Sequence, residues 1–584
     1  MSEPNQPSTN IDPASGEGAV HLPSGGLGGS SGASGKNAFT ISAEKTNRLD
    51  QLLDSSSEWF SSIVIKETRQ SLKGRFFVWP FFACLLVVLI WALGAIGMAM
   101  YNGALNEAGP VLLTGFLDIL GFPLAIVIPY ATFRSLVHEF EDGTLQLVSI
   151  TTLRPYQIIT GKLVSALLQI LIYVSILAPC IVFTYMLRGV DIWQIFLSIA
   201  TAVSGSVSLC VFGLFLASSS RHRAIGILSS LVLLAALCWV YFMWCVLAYG
   251  IGFEIDGLPI AEPEFQTAIF APFACVFSWG LVMFAAACAN ITFPTENRST
   301  IIKLALLIQQ TLFLGWFLAM TISMSEINSA MFGSLYIFVC IHWLVVGTMM
   351  FCVGDGMSRR VRRGLPKTRF GQVFSSFLQP GAGRGFLFAV SNLWACGLFF
   401  AMVLLLGRFL PGQFELSYSN VLWEEIVGIM ATMTLYTTFY LVVLFLLLNA
   451  LPAVRKRSGP MFGLLIVLLF MPMILLLPIL LQFSVLGGED DYTLLQMFNC
   501  FWTSFEIVNG NDSAWISVIL VFILTAIFGF VALRLAGREL RVKVEAVPQR
   551  VKEEIDSGKS IAAALPEGES LDEIFGVLED PKDP

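Results

Sequence analysis

Val78-Trp-Pro-Phe-Phe-Ala-Cys-Leu-Leu-Val-Val-Leu-Ile-Trp-Ala-Leu-Gly-Ala-Ile-Gly-Met-Ala-Met100 is an unbroken stretch without a charged side chain. About 20 apolar residues are enough for a helix to cross the hydrocarbon core of a bilayer. The whole chain has the same bias, with 56% hydrophobic and 13% charged residues, whereas a soluble protein carries roughly 25% charged residues. The stretch is therefore predicted to be a transmembrane helix in an all-α, polytopic membrane protein.

Eleven further runs of this kind follow along the chain, which gives about twelve predicted spans. The twelve lie at roughly 78–100, 114–132, 163–186, 193–217, 225–250, 267–292, 304–322, 331–353, 386–407, 427–450, 460–483 and 514–535. If the N-terminus is cytoplasmic and the side alternates at every span, only Arg188 and Arg408 of the 34 Lys and Arg residues fall outside. Because cytoplasmic loops carry an excess of Lys and Arg, both termini are predicted to be cytoplasmic.

The predicted connections divide the spans into two similar halves. Most cytoplasmic loops are short, but two long ones follow the second and the eighth span, at the same place in each half. Matching loop positions favour a duplicated architecture, although no residue-level repeat is visible. The predicted organisation is a disordered Gly/Ser/Pro-rich tail (1–55), a first six-helix unit (56–295) with a long loop at 133–162, a second six-helix unit (296–545) with a basic loop at 354–385, and a charged cytoplasmic tail (546–584).

An amphipathic segment precedes the first span, at residues 58–76. It mixes apolar residues with basic ones and includes Lys66, Glu67 and Arg69. Such a segment is typical of a helix that lies in the membrane interface. The alternative is an ordinary basic flank of the kind that orients a first span.

The first long loop is predicted to contain helical pieces separated by a break. Residues 133–141 are charged and helical in pattern, and Gly143 and Thr144 mark a turn or a helix start. Pro155 is expected to open the next helix, which continues into the third span. A short element joined in this way to two spans can pass motion from a soluble partner into the membrane.

The residues of this loop resemble those of permeases of the type-2 ABC exporter family. The resemblance rests on Glu139-Phe-Glu-Asp-Gly-Thr-Leu145, Thr152-Leu-Arg-Pro155 and Ile159-Thr-Gly-Lys162, and on Ile65-Lys-Glu-Thr-Arg69 before the first span. It implies that the loop is a coupling helix seated on a separate ATP-binding subunit. The coupling residues it implies are Glu139, Glu141, Gly143, Thr144, Leu145, Pro155, Gly161 and Lys162.

The second half lacks this pattern. Its long loop is basic instead, from Arg359 to Arg369, which is typical either of an anchor beside anionic lipid or of a second docking surface. The chain also lacks a phosphate-binding Gly-rich loop with its Lys and Ser/Thr. It is therefore expected to be no enzyme and to bind no cofactor itself, with ATP hydrolysed on another chain. No metal site and no nucleic-acid partner are predicted, and a second permease chain remains an alternative partner.

Two ionisable residues within the spans are candidates for the transport pathway, Asp118 and His342. Ionisable groups inside a membrane are functional candidates by default, although Asp118 equally suits a helix end that reaches water. Pro123 and Pro129 are expected to kink the second span, either for movement or for packing.

These observations favour the membrane subunit of an ATP-driven exporter in the bacterial inner membrane. The alternative is a twelve-helix secondary transporter driven by an ion gradient. That family also has Gly/Asp/Arg motifs after its second and eighth spans, but its long loop joins the two halves, where this chain has the short connection 293–303. A membrane scaffold without transport activity is a third class that the residues leave open.

Overall fold

Apolar runs decide the architecture, because a backbone in hydrocarbon must satisfy its own hydrogen bonds and a helix does so within one segment. The structure, a computed structural model, describes residues 62–103, 108–143, 154–187, 189–220, 223–253, 259, 261–293, 296–323, 329–352, 357–358, 361–362, 368–409, 420–451, 460–485 and 492–540. Within these ranges every regular element is a helix, which confirms the all-α prediction.

The α-helices are numbered here in chain order. They are α1 (Ser62–Lys73), α2 (Arg75–Tyr101), α3 (Ala108–Phe122), α4 (Ile128–Glu141), α5 (Pro155–Met186), α6 (Ile192–Ser219), α7 (Arg223–Phe253), α8 (Pro263–Ile291), α9 (Ser299–Ser323), α10 (Ser329–Phe351), α11 (Arg369–Leu378), α12 (Ala382–Phe409), α13 (Asn420–Ala450), α14 (Pro460–Val485), α15 (Cys500–Val508) and α16 (Asp512–Leu540). A π-helical turn at Pro123–Val127 joins α3 to α4, and a 3-10 turn at Leu494–Phe498 precedes α15.

Twelve helices of the described chain are long and apolar enough to cross a membrane, each at a predicted position. The chain is therefore a multi-pass membrane protein. Which side holds the termini stays a prediction, and both tails lie outside the described residues.

The second span is longer than the sequence pattern indicated, because the charged piece 133–141 continues it without interruption. Helix α3, the π turn and α4 together form one span, Ala108–Glu141. The buried face continues through Phe133, Leu136 and Val137, so packing holds the helix together beyond its apolar part.

The π turn at Pro123–Val127 lies where two prolines were expected to disturb the second span. The Ile128 N–H bonds the Pro123 carbonyl, five residues back. Pro129 has no N–H, so it cannot satisfy the next carbonyl in this pattern, that of Leu124. The Ser206 hydroxyl of α6 donates to that carbonyl instead, at 2.7 Å. The irregularity is therefore stabilised by a neighbouring helix.

The buried side chains form separate cores along the chain. Two clusters are built from residues of α2 to α8, and a third from residues of α8 to α16. Helix α8 packs against both α6 and α9, so it joins the helices before it to those after it. The division into two six-helix units remains a prediction.

Three short helices of the described chain, α1, α11 and α15, are not spans, and α1 and α11 are the two that lie beside the polar clusters. Helix α1 lies within the predicted amphipathic segment and packs along α5. Helix α11 lies within the second long loop and packs against α9 and α12. These two helices and the spans that hold them position the polar clusters described next.

Candidate functional site

The first polar cluster is centred on Lys162, in the second turn of α5. That helix begins at Pro155, as predicted, because proline suits a first helical position. Gln157 caps the start of this helix, because its side-chain oxygen accepts a hydrogen bond from the Arg154 N–H at 2.8 Å. Packing between α5 and its neighbours leaves Lys162 only 3% exposed.

Three side chains accept hydrogen bonds from the Lys162 ammonium group. It donates to Glu139 Oε1 of α4 at 2.9 Å, to Glu67 Oε2 of α1 at 3.1 Å and to Ser135 Oγ at 2.7 Å. An ammonium group carries three N–H donors, so its hydrogen-bonding capacity is used completely. One lysine thus holds α1, α4 and α5 together.

A second polar contact joins α1 to α5 beside this cluster. The hydroxyls of Ser71 and Ser165 lie 2.7 Å apart. The two contacts, one turn apart on each helix, fix α1 along the cytoplasmic half of α5 in the predicted topology. Movement of the start of α5 would therefore carry α1 with it.

The chain leaves α4 through a tight turn that was predicted from the sequence. Gly143 adopts a φ of +68°, a conformation that favours glycine just after a helix end. Its N–H bonds the Phe140 carbonyl, and the Asp142 N–H bonds that of His138. On the exposed side of α4, His138 Nδ1 lies 2.9 Å from Asp142 Oδ2. The break expected at residue 143 is confirmed.

A cavity of about 390 Å³ lies between α1, α4 and α5. Its lining includes the Lys162 cluster together with Lys66, Arg134, His138, Asp142 and Gln169. Both carboxylates of the cluster border this space. The buried ion pairs therefore lie next to a polar opening, where movement or a binding partner can reach them.

The structure brings together three of the predicted residues, Glu67, Glu139 and Lys162. Two others, Gly143 and Pro155, bound the ends of the loop between α4 and α5, and Gly161 is buried beside Lys162. The exposed residues Lys66, Arg69 and Glu141 are outside the cluster. Thr144 and Leu145, two of the coupling residues that the resemblance implies, lie outside the described residues.

Asp118 and His342, the two predicted pathway residues, do not meet. Asp118 lies on α3 beside the Cys245 thiol of α7, and its Oδ1 has no hydrogen-bond partner within the described part of the chain. His342 lies on α10, with its ring 5.1 Å from that of Trp279. The two residues therefore do not form one site.

A second polar cluster, centred on Lys303 at the start of α9, was not predicted as a site. Lys303 donates to the carbonyls of Phe377 and Gln379 at 2.8 and 3.0 Å. Thr300 donates to the Leu378 carbonyl at 3.2 Å, and Arg384 to that of Pro380 at 2.8 Å. Four consecutive carbonyls, those of the last two residues of α11 and of the two residues that follow it, thus accept hydrogen bonds from side chains.

Sequence reasoning also missed Ser135, which shares the Lys162 ammonium group. Lys303 falls in the predicted connection 293–303, so no sequence signal distinguishes it from the other basic residues of the predicted cytoplasmic loops. No group of three or more His, Cys, Asp or Glu side chains suited to a metal ion occurs among the described residues.

The chain matches no protein-family model, no curated protein and no solved structure. The resemblance to type-2 ABC permeases therefore rests on the quoted residues alone.

Proposed function

We propose that the chain is the membrane-spanning permease subunit of an ATP-driven ABC exporter, in which a separate ATP-binding subunit drives transport. One observation carries the proposal: Lys162 ties both ends of the loop between α4 and α5 to the amphipathic helix α1. The resemblance of residues 139–162 to the coupling segment of that family supports it. ATP hydrolysis belongs to the partner chain, and this chain is no enzyme.

The cluster suits the transmission of force. A soluble partner that pushes on the loop acts first on the ends of α4 and α5, which carry Glu139 and Lys162. Because the Lys162 side chain and most of each carboxylate are buried, the ion pairs resist separation more than an exposed pair would. The two spans and α1 would then move as one body, and the cargo pathway between the spans would change shape.

The proposed function requires the loop between α4 and α5, and helix α1, to lie in the cytoplasm, where ATP is available. The Lys and Arg distribution supports that orientation, and we propose the bacterial inner membrane as the location. Twelve spans are enough for one chain to form a complete pathway with two copies of the ATPase. Pairing with a second permease chain is the alternative stoichiometry.

The first test is purification from the native membrane under mild conditions. We expect an ATP-binding protein to co-purify with the chain, and its ATPase rate to respond to the permease in lipid nanodiscs. Co-purification without any nucleotide-binding protein, from membranes in which transport is active, contradicts the proposal.

The second test is a coupling variant that spares the fold. Glu141→Ala combined with Gly143→Ala changes an exposed side chain and a helix-end turn, so insertion and span packing should persist. We expect the ATPase rate to become independent of the permease, with loss of transport. Glu264→Ala, at an exposed acid on the start of α8, is the matched control and should retain coupling. Normal coupling in the double variant contradicts the assignment of this loop.

The third test separates the exporter from the secondary transporter. Transport is followed in vesicles supplied with ATP while a protonophore dissipates the ion gradient. An ABC exporter continues under these conditions, whereas a secondary transporter stops. Arrest by the protonophore at constant ATP therefore replaces the proposed function with the alternative.

A further inference from the structure

A second cavity, remote from the Lys162 cluster, lies between α8, α9, α10 and α12. Its volume is about 300 Å³, at the lower end of the range for sites that bind small molecules. The wall is mainly aromatic and aliphatic. The side chains that matter to its chemistry are Trp279, Trp316, Trp343, Gln309, Gln310 and His342.

Two glutamines that line this cavity carry amide oxygens without a hydrogen-bond partner among the described residues. Gln309 is only 6% exposed. Its Oε1, like that of Gln310, has no hydrogen bond to any described residue. A buried amide oxygen without a partner is unfavourable, and most unfavourable in an apolar surrounding. Each of these oxygens would therefore be stabilised by a hydrogen-bond donor, and no described residue donates to either of them.

The depth of the two glutamines makes water a poor source of that donor. Gln309 follows Ser299, the first residue of α9, by roughly 15 Å at 1.5 Å per residue, which is half the thickness of a bilayer core. His342 is equally central in the span Met331–Phe351. The polar groups of the cavity thus lie near the middle of the membrane.

The residues that line the cavity determine what charge a bound molecule can carry. None of the described residues that line the cavity is Asp, Glu, Lys or Arg. A charged ligand would be buried there without a counter-charge, at a high desolvation cost. The site therefore suits a neutral molecule with an apolar body.

The cavity borders the lipid-facing surface of the helices. Pro272 and Cys275 of α8 are exposed, and Phe338 of α10 is 45% exposed. All three line the cavity. A molecule dissolved in the bilayer can therefore enter between α8 and α10 without passing through water.

We infer that this cavity is a binding site for a neutral, lipid-soluble molecule that enters from the bilayer and donates one hydroxyl or N–H hydrogen bond to the amide oxygen of Gln309, with Gln310 beside it. Trp279, Trp316 and Trp343 supply the apolar contact surface. Trp316 is held in place by its own hydrogen bond from Nε1 to the Thr267 carbonyl, at 3.0 Å. The inference concerns binding alone and does not depend on an ATPase partner.

The test is photolabelling of the purified chain in nanodiscs without nucleotide. The probes are diazirine-labelled decanol, which donates a hydrogen bond, and its methyl ether, which does not. We expect decanol labels to concentrate on α8, α9 and α10, with roughly fivefold to tenfold less labelling by the ether, the loss expected for one buried hydrogen bond.

Three variants test whether the labelling depends on Gln309 and on the space inside the cavity. Gln309→Leu removes the acceptor in an apolar setting and should lower decanol labelling to the level of the ether. Ala274→Phe fills the cavity from α8 and should abolish labelling by both probes. Thr311→Val, on the exposed side of α9, is the control and should label normally. Equal labelling by alcohol and ether, or normal decanol labelling of Gln309→Leu, overturns the inference.

Discussion

Two amphipathic helices outside the spans, α1 and α11, are each held by one buried lysine, but the lysines use different partners. Lys162 meets two carboxylates, Glu67 and Glu139, at 3.1 and 2.9 Å. Lys303 instead meets two backbone carbonyls at the end of α11, where the helix dipole is negative.

The two attachments respond differently to a movement of the helices. The Lys162 cluster depends on side chains from three helices, so a movement of any one of them changes its charge balance. The hydrogen bonds of Lys303 depend on the backbone at the end of α11, which keeps its shape as long as α11 is a helix. The first attachment is therefore suited to transmit movement, and the second to hold α11 in place.

The largest effect is expected from Lys162→Met, which leaves two buried carboxylates facing each other. Removing one partner from a buried ion pair costs about 3–5 kcal/mol. The measurement is the unfolding midpoint of the purified protein in detergent. Lys73→Met, at an exposed lysine of α1 away from the cluster, is the control and should change stability by less than about 0.5 kcal/mol. Equal midpoints for the two variants would remove the distinction between these lysines.

Lys303→Met is expected to have the second largest effect. It leaves two carbonyls without these donors but no unpaired charge, and each carbonyl left unpaired at a helix end, next to polar side chains, costs at least about 1 kcal/mol. We expect a loss of about 2–3 kcal/mol in the same measurement. A larger loss than that of Lys162→Met would reverse the comparison, since it would make the carbonyl attachment the stronger one.

A double-mutant cycle on Glu67 and Glu139 tests charge balance directly. Two carboxylates face one ammonium group, so Glu67→Gln or Glu139→Gln alone leaves a balanced pair and should cost less than about 1 kcal/mol. The double variant leaves Lys162 buried without a counter-ion. We expect it to lose about 2 kcal/mol more than the sum of the singles, measured as the coupling free energy. Additive losses would show that the cluster does not act as a unit.

Gly143→Ala is expected to have the smallest effect. A Cβ there meets no atom of the described residues within 4 Å, so within that part of the chain only the positive φ opposes the change. That strain costs about 1 kcal/mol. Amide hydrogen exchange should rise at the end of α4 and stay constant at α11, and Gly143→Asn should be milder, since asparagine tolerates this conformation. Faster exchange at α11 would link two regions that we describe as separate.

Local signals in the sequence predicted the spans and the loop ends well. Apolar length marked all twelve spans, Gly143 marked a helix end and Pro155 a helix start, because each depends on residues close in the chain. The pair Glu67–Lys162 joins residues far apart in sequence, so its geometry required the packed helices. Lys303 counted in the sequence only as one more cytoplasmic charge, because its partners are backbone atoms that no sequence pattern displays.

The π turn at Pro123–Val127 has a consequence for the distant cluster. A π turn holds one residue more than an α turn, and one residue corresponds to a rotation of about 100° about the helix axis. If this segment became regular α-helix, all of α4 would rotate about its axis. Glu139 lies roughly 18 Å further along the helix at 1.5 Å per residue. Its carboxylate would then point away from Lys162. The winding of five residues deep in the second span thus sets the direction in which a carboxylate at its far end is aimed.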